Sequence, residues 1–105
     1  MISVWYGKNR LLIKGLQKSM KEHSVIYASV YTMILFGVET LKRINEYNFE
    51  AYEVGAYLSI VLDKYARKTS KKVLKTMFDT LCILSKQFPD NIKIEVEYEK
   101  ENICS

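Results

Sequence analysis

One proline, four glycines, two cysteines and a single histidine stand among 105 residues. So little proline and glycine excludes collagen-like and low-complexity chains. With 49% hydrophobic and 27% charged residues, the chain carries enough apolar surface to escape disorder and to build one core. The cysteines, Cys82 and Cys104, are too few and too far apart for the disulfide framework of a small secreted scaffold. That pattern predicts a reduced, cytoplasmic chain in which Cys82 is a small core hydrophobe and Cys104 a tail thiol. His23 is the sole histidine, which leaves a two-histidine metal site or a histidine-relayed nucleophile without its usual partners. There is no CxxC pair, glycine-rich phosphate loop or HExxH stretch, so neither a metal nor a cofactor is expected.

Charge of one sign is also in short supply. Sixteen Lys and Arg against twelve Asp and Glu give +4 at pH 7, basic but far from a polycation. Long apolar runs are limited to residues 24–38, fifteen positions without a charge. The cations Lys8, Arg10, Lys14, Lys18 and Lys21 precede this run, as they would a signal-anchor. Spanning a bilayer takes about 20 apolar residues, however, and Ser24, Ser29 and Thr32 interrupt this run. It is read as a core helix, and a membrane is not the expected partner.

What is present suggests a mainly α domain covering residues 1–105. Residues 1–6 are β-branched and aromatic and predict a short strand. Residues 8–23 follow as a weak helix with Leu12, Leu16, Met20 and His23 on one side, Gly15 counting against it. A second helix runs from Ser24 to about Asn45, apolar nearly all round: Tyr27, Tyr31, Ile34, Val38 and Leu41 form one seam, Ile26, Val30, Met33 and Ile44 another. Val54, Tyr57, Leu58, Val61, Leu62 and Tyr65 fit the spacing of a third helix. A fourth starts at Thr69 or Ser70, buries Val73, Leu74, Met77, Phe78, Leu81, Leu84 and Phe88, and stops at Pro89. Residues 92–98 alternate, with Ile92, Ile94, Val96 and Tyr98 on one face, as a half-buried strand does. The expected fold is therefore a small bundle of about four helices, with terminal strands pairing in cis or across a dimer.

No constellation of catalytic groups emerges. Glu39 with Arg43, Asp63 with Arg67 and Lys75 with Asp79 are spaced as helical ion pairs. Glu50 and Glu53 suit the first turn of a helix. Tyr27, Tyr31, Tyr57 and Tyr65 are placed in core seams, while Tyr6, Tyr47 and Tyr52 face outward. The strongest local signal is residues 64–75, with six cations and no acid. Lys64, Arg67, Lys68, Lys71, Lys72 and Lys75, joined by Lys14 and Lys18 from the first helix, make a candidate phosphate or nucleic-acid site. Lysine contacts phosphate as a point charge, so such binding would be blind to sequence. Val25 and Phe36, on the otherwise polar side of the second helix, and Glu95 and Glu97, on the last strand, are candidate partner-binding residues.

Taken together, the residues favour a small non-enzymatic interaction module, an accessory or inhibitor protein. Its expected partner is another protein or a second copy of itself. A nucleic-acid-binding protein is the alternative, and a membrane-associated immunity or anchor protein the third reading.

Overall fold

A computed structural model describes residues 1–15, 24–45, 49–54 and 57–96. Its N-terminal part overturns the first predicted helix. Residues 2–14 form a hairpin of β1 (Ile2–Gly7) and β2 (Arg10–Lys14), paired antiparallel with Gly7 opposite Arg10. The reason is local. Two β-branched or leucine-rich runs lie two residues apart, and Asn9 adopts a positive φ of 60° to close the turn between them, as asparagine does more readily than most residues. Gly15 is no helix interior. It ends β2 at φ +88°, where a Cβ would run into the Met1 carbonyl oxygen.

The predicted third helix is likewise a pair of strands, β3 (Phe49–Val54) and β4 (Tyr57–Leu62). These pair antiparallel, Phe49 opposite Leu62 and Val54 opposite Tyr57. Every residue of β4 except Ser59 is apolar or aromatic, so a period of 3.6 fits it as well as a period of 2. Pairing with β2, Arg10 opposite Val61 and Lys14 opposite Tyr57, settles the matter by satisfying the backbone. The chain closes with β5 (Ile92–Val96), which lies parallel to β1 in cis, Ile2 opposite Ile92.

The described residues thus hold two helices, not four, and a five-stranded mixed sheet in the order β3-β4-β2-β1-β5. Both predicted long helices are present, as α1 (Ser24–Asn45) and α2 (Lys68–Gln87). α2 is the crossover from β4 to β5 that a parallel neighbour requires. It lays Leu74, Met77, Phe78, Leu81 and Cys82 on the sheet. α1 contributes Tyr27, Val30, Ile34 and Leu41. Opposite them lie Ile2, Val4, Leu11, Ile13, Leu58, Ile60, Leu62 and Ile92, alternate residues of their strands. The two helices approach closely at Gly37, where a Cβ would meet the Met77 side chain.

Three side chains depart from their expected environments. Tyr6 turns inward and stacks on Phe78, centroids 4.3 Å apart and planes 13° from parallel. Tyr65 lies outside the core, 75% exposed. Cys82 is buried as predicted but is disulfide-bonded rather than reduced.

Replacing Gly15 with Ala is expected to lower unfolding free energy by about 2 kcal/mol, since positive φ and a backbone collision act together. Urea unfolding would show this as an earlier midpoint, and an unchanged midpoint would contradict it. Burial, opposed in part by Lys75 and reinforced by Asp79, raises the Tyr6 hydroxyl above its ordinary pKa of 10.0. Stability from that burial is complete below the unfolded value and is lost as pH rises through the folded one. Melting temperature should therefore fall above pH 10 more steeply in the wild type than in Tyr6→Phe.

Candidate functional site

Strand register divides the molecule into two ends. At one end lie Ile2, Lys14, Tyr57 and Ile92, in the first or last pairs of their ladders. Gly7, Arg10 and Leu62 mark the other. Three residues separate the end of α1 from Phe49, opposite Leu62. Its 22 residues span about 33 Å, so α1 begins at the first end, the one where β2 finishes. α2 runs the other way, from just after Leu62 back to Ile92.

The first end has the makings of a ligand site. α1 starts there without an acid in its first turn, leaving its N-terminal N–H groups and positive dipole end uncompensated by a carboxylate of that turn. Along the outer side of the helix, Val25, Ala28, Ser29, Thr32, Met33 and Phe36 line an open concavity of about 670 Å³. Val25 and Phe36 are 77% and 75% exposed, so the two predicted partner-binding residues of α1 share one uncharged strip. The hydroxyl of Ser29 donates to the Val25 carbonyl, 2.8 Å away. A narrower groove of about 330 Å³ lies between Phe36, Gly37 and Thr40 of α1 and Val73, Thr76 and Met77 of α2.

The predicted basic residues do not all meet. Lys64, Arg67, Lys68, Lys71 and Lys72 are exposed and cluster at the second end. Lys75 turns aside to Asp79, 2.8 Å away. Lys14 is at the first end, opposite Tyr57, and Lys18 lies outside the described residues, as do His23 and Glu97. Glu95 is on β5 at 3.5 Å from Lys93, on the sheet side of a shallow pocket shared with Ser3, Trp5, Arg10, Leu12 and Lys14. There the Arg10 guanidinium covers Trp5, 4.8 Å from the ring centroid. Two predicted ion pairs give way: Glu39 pairs with Lys42 at 3.6 Å, and Asp63 accepts from the Tyr65 N–H at 2.8 Å. Among the described residues no group of three His, Cys, Asp or Glu could hold a metal ion. α1 is long and apolar enough by composition to cross a membrane, yet its buried residues are spent on the sheet.

The arrangement is a mixed sheet covered on one face by two helices. No protein-family model and no curated protein matches the sequence. Solved structures do. The chain is similar to the ribosomal processing protease Prp from S. aureus, solved in complex with a substrate peptide. That match has a TM-score of 0.81 at 15% identity over 92% of this chain and 100% of that one. The same protease in complex with a covalently linked product peptide gives 0.80, at the same identity and coverage. SMU.848 from Streptococcus mutans gives 0.70 at 12% identity, over 90% of each chain. At such identities the likeness establishes the fold. It replaces the four-helix bundle, and, because two of these neighbours are a protease solved with peptides, the expectation of a non-enzymatic interaction module is not carried forward.

Sequence reasoning missed the first end because its approach, residues 8–15, was read as helix. Two β-rich runs joined by a two-residue turn containing Asn9 were the available signal. Trp5 is the only tryptophan and so reports on its own surroundings. Arg10→Ala should uncover the ring and move its emission to the red, with a stability loss of about 0.5–1 kcal/mol. An unmoved emission maximum would show that the guanidinium does not cover it.

Proposed function

We propose that this chain is a peptide-processing protein, taking a segment of a protein partner at the end where β2 finishes and α1 begins. The observation that carries this reading is the likeness to a protease captured with its peptide, over nearly the whole of both chains. The exposed strip on α1 supports it, since an uncharged concavity suits apolar side chains of a bound segment. A peptide carboxylate or developing oxyanion would also be favoured at the N-terminus of α1, whose first turn carries no acid.

Cleavage needs a nucleophile and a base. A thiol has no source along the approach to α1 or on the helix itself: residues 15–45 contain no cysteine, and Cys82 is buried on α2 in a disulfide. Hydrolysis at this end would run through a hydroxyl, and His23 is the one imidazole in the sequence. Binding and cleavage are separate requirements and are read separately. A second copy of the chain is a further protein partner that Val25 and Phe36 would suit, because the strip is uncharged and self-contact there brings no like charges together.

The test is incubation of the full chain with a proteome-derived peptide library, followed by mass spectrometry of new termini. Expected are cuts at a defined sequence, insensitive to iodoacetamide and reduced by two orders of magnitude or more in His23→Ala. A library recovered intact would remove the enzymatic half of the reading. Peptides that neither bind nor are cut would remove all of it.

A further inference from the structure

We propose that the opposite end of the domain is a binding surface for single-stranded nucleic acid, with Tyr65 as a base-stacking platform beside a lysine stripe. Replacing the predicted third helix by β4 and a turn changes what Tyr65 is. The turn is fixed by two hydrogen bonds to Asp63. The Tyr65 N–H donates to its carboxylate at 2.8 Å, and the Ala66 N–H to its carbonyl at 2.9 Å. Ala66 is buried while Tyr65 is 75% exposed, so the turn holds an aromatic ring out into solvent. The Lys64 ammonium sits over that ring, 5.1 Å from its centroid.

Cations surround it. From Lys64 to Phe78 the sequence has no acid, and the Asp63 carboxylate already accepts the Tyr65 N–H. Lys68, Lys71, Lys72 and Lys75 are spaced i, i+3, i+4 and i+7, one face of α2. Among the described residues Lys75 alone of these four has a carboxylate partner. Placing Lys68 and Lys71 in a first turn without an acid or a side-chain cap sets them against the helix dipole. A bound phosphate would relieve both. The β1–β2 turn is tied to the same end, the Leu62 N–H donating to the Asn9 carbonyl at 2.8 Å, and it brings exposed Lys8 to that end.

The combination distinguishes among anionic partners. Lysines spread over two turns of helix track a phosphate backbone without reading bases. An outward aromatic ring gains from an unstacked base, which a single strand offers and a duplex does not. An acidic protein would use the lysines and leave the ring idle. The surface stands apart from the peptide-binding end, so the two proposals succeed or fail separately.

Fluorescence anisotropy of the full chain with a labelled oligouridylate of about 15 nucleotides tests this. Affinity should fall steeply with salt. The triple variant Lys68→Gln, Lys71→Gln, Lys72→Gln should reduce the log–log slope by about 2. Tyr65→Ala should weaken binding about tenfold at fixed salt, while Tyr65→Phe, which keeps the ring, stays within about twofold of wild type. All four positions are exposed, so circular dichroism melts should be unchanged. No binding at about 50 mM salt, or binding indifferent to Tyr65→Ala, would overturn the proposal. So would a poly-glutamate peptide bound as tightly as the oligonucleotide, which would assign the patch to an acidic protein.

Discussion

The parallel pairing of β1 with β5 is the constraint on which the rest of the structure depends. A tight turn cannot join parallel neighbours, so the chain must leave β4, cross β2 and β1 on one face, and return at the far edge. α2 is that crossing. Once it is laid down, Phe78 meets Tyr6, Leu74 and Leu81 join Val4, Leu11, Ile13 and Ile92 in the buried core, and α1 is confined to the remaining strip of the same face. The close approach at Gly37 and Met77 follows from fitting two long helices side by side on five short strands.

That constraint also separates the two ends. α1 and α2 run in opposite directions, so each end of the sheet receives one helix N-terminus. From the start of α1, the outer strip of the helix is uncharged and concave. Where α2 starts, the surface is lysine-rich and carries an outward aromatic ring. The two proposed surfaces, one for an apolar segment and one for an anion, therefore draw on different residues.

Much of the helical part was legible in the residues. α2 shows its buried face at regular spacing from Leu74 to Leu81, and Pro89 marks its end. β5 alternates without a break, and α1 coincides with the longest uncharged run. β1 was legible from its β-branched and aromatic residues, but β2 before α1, and β3 and β4 after it, were not legible as strands. Leu12, Leu16 and Met20 mimic a helical stripe around a glycine whose positive φ only the folded backbone reveals. The run Tyr57–Leu62 is too uniformly apolar to display any period. Tyr65 was assigned to a core seam because of that misreading, and its exposure is what makes the second surface interpretable. Val25 and Phe36 are legible as apolar residues on a polar side, and both are exposed. The peptide-processing reading had no signal in the sequence, because no motif carries it. It rests on the arrangement of elements.

The central claim is that a peptide binds at the start of α1 rather than elsewhere. Amide chemical shifts of the isotopically labelled full chain, followed during titration with a peptide selected from the library, test it most directly. The account predicts perturbations at Gly15, Val25, Ala28, Ser29 and Thr32, with Tyr65, Lys68 and Lys71 unmoved. Shifts confined to the lysine-rich end, or to the open face of the sheet around Trp5, would contradict it.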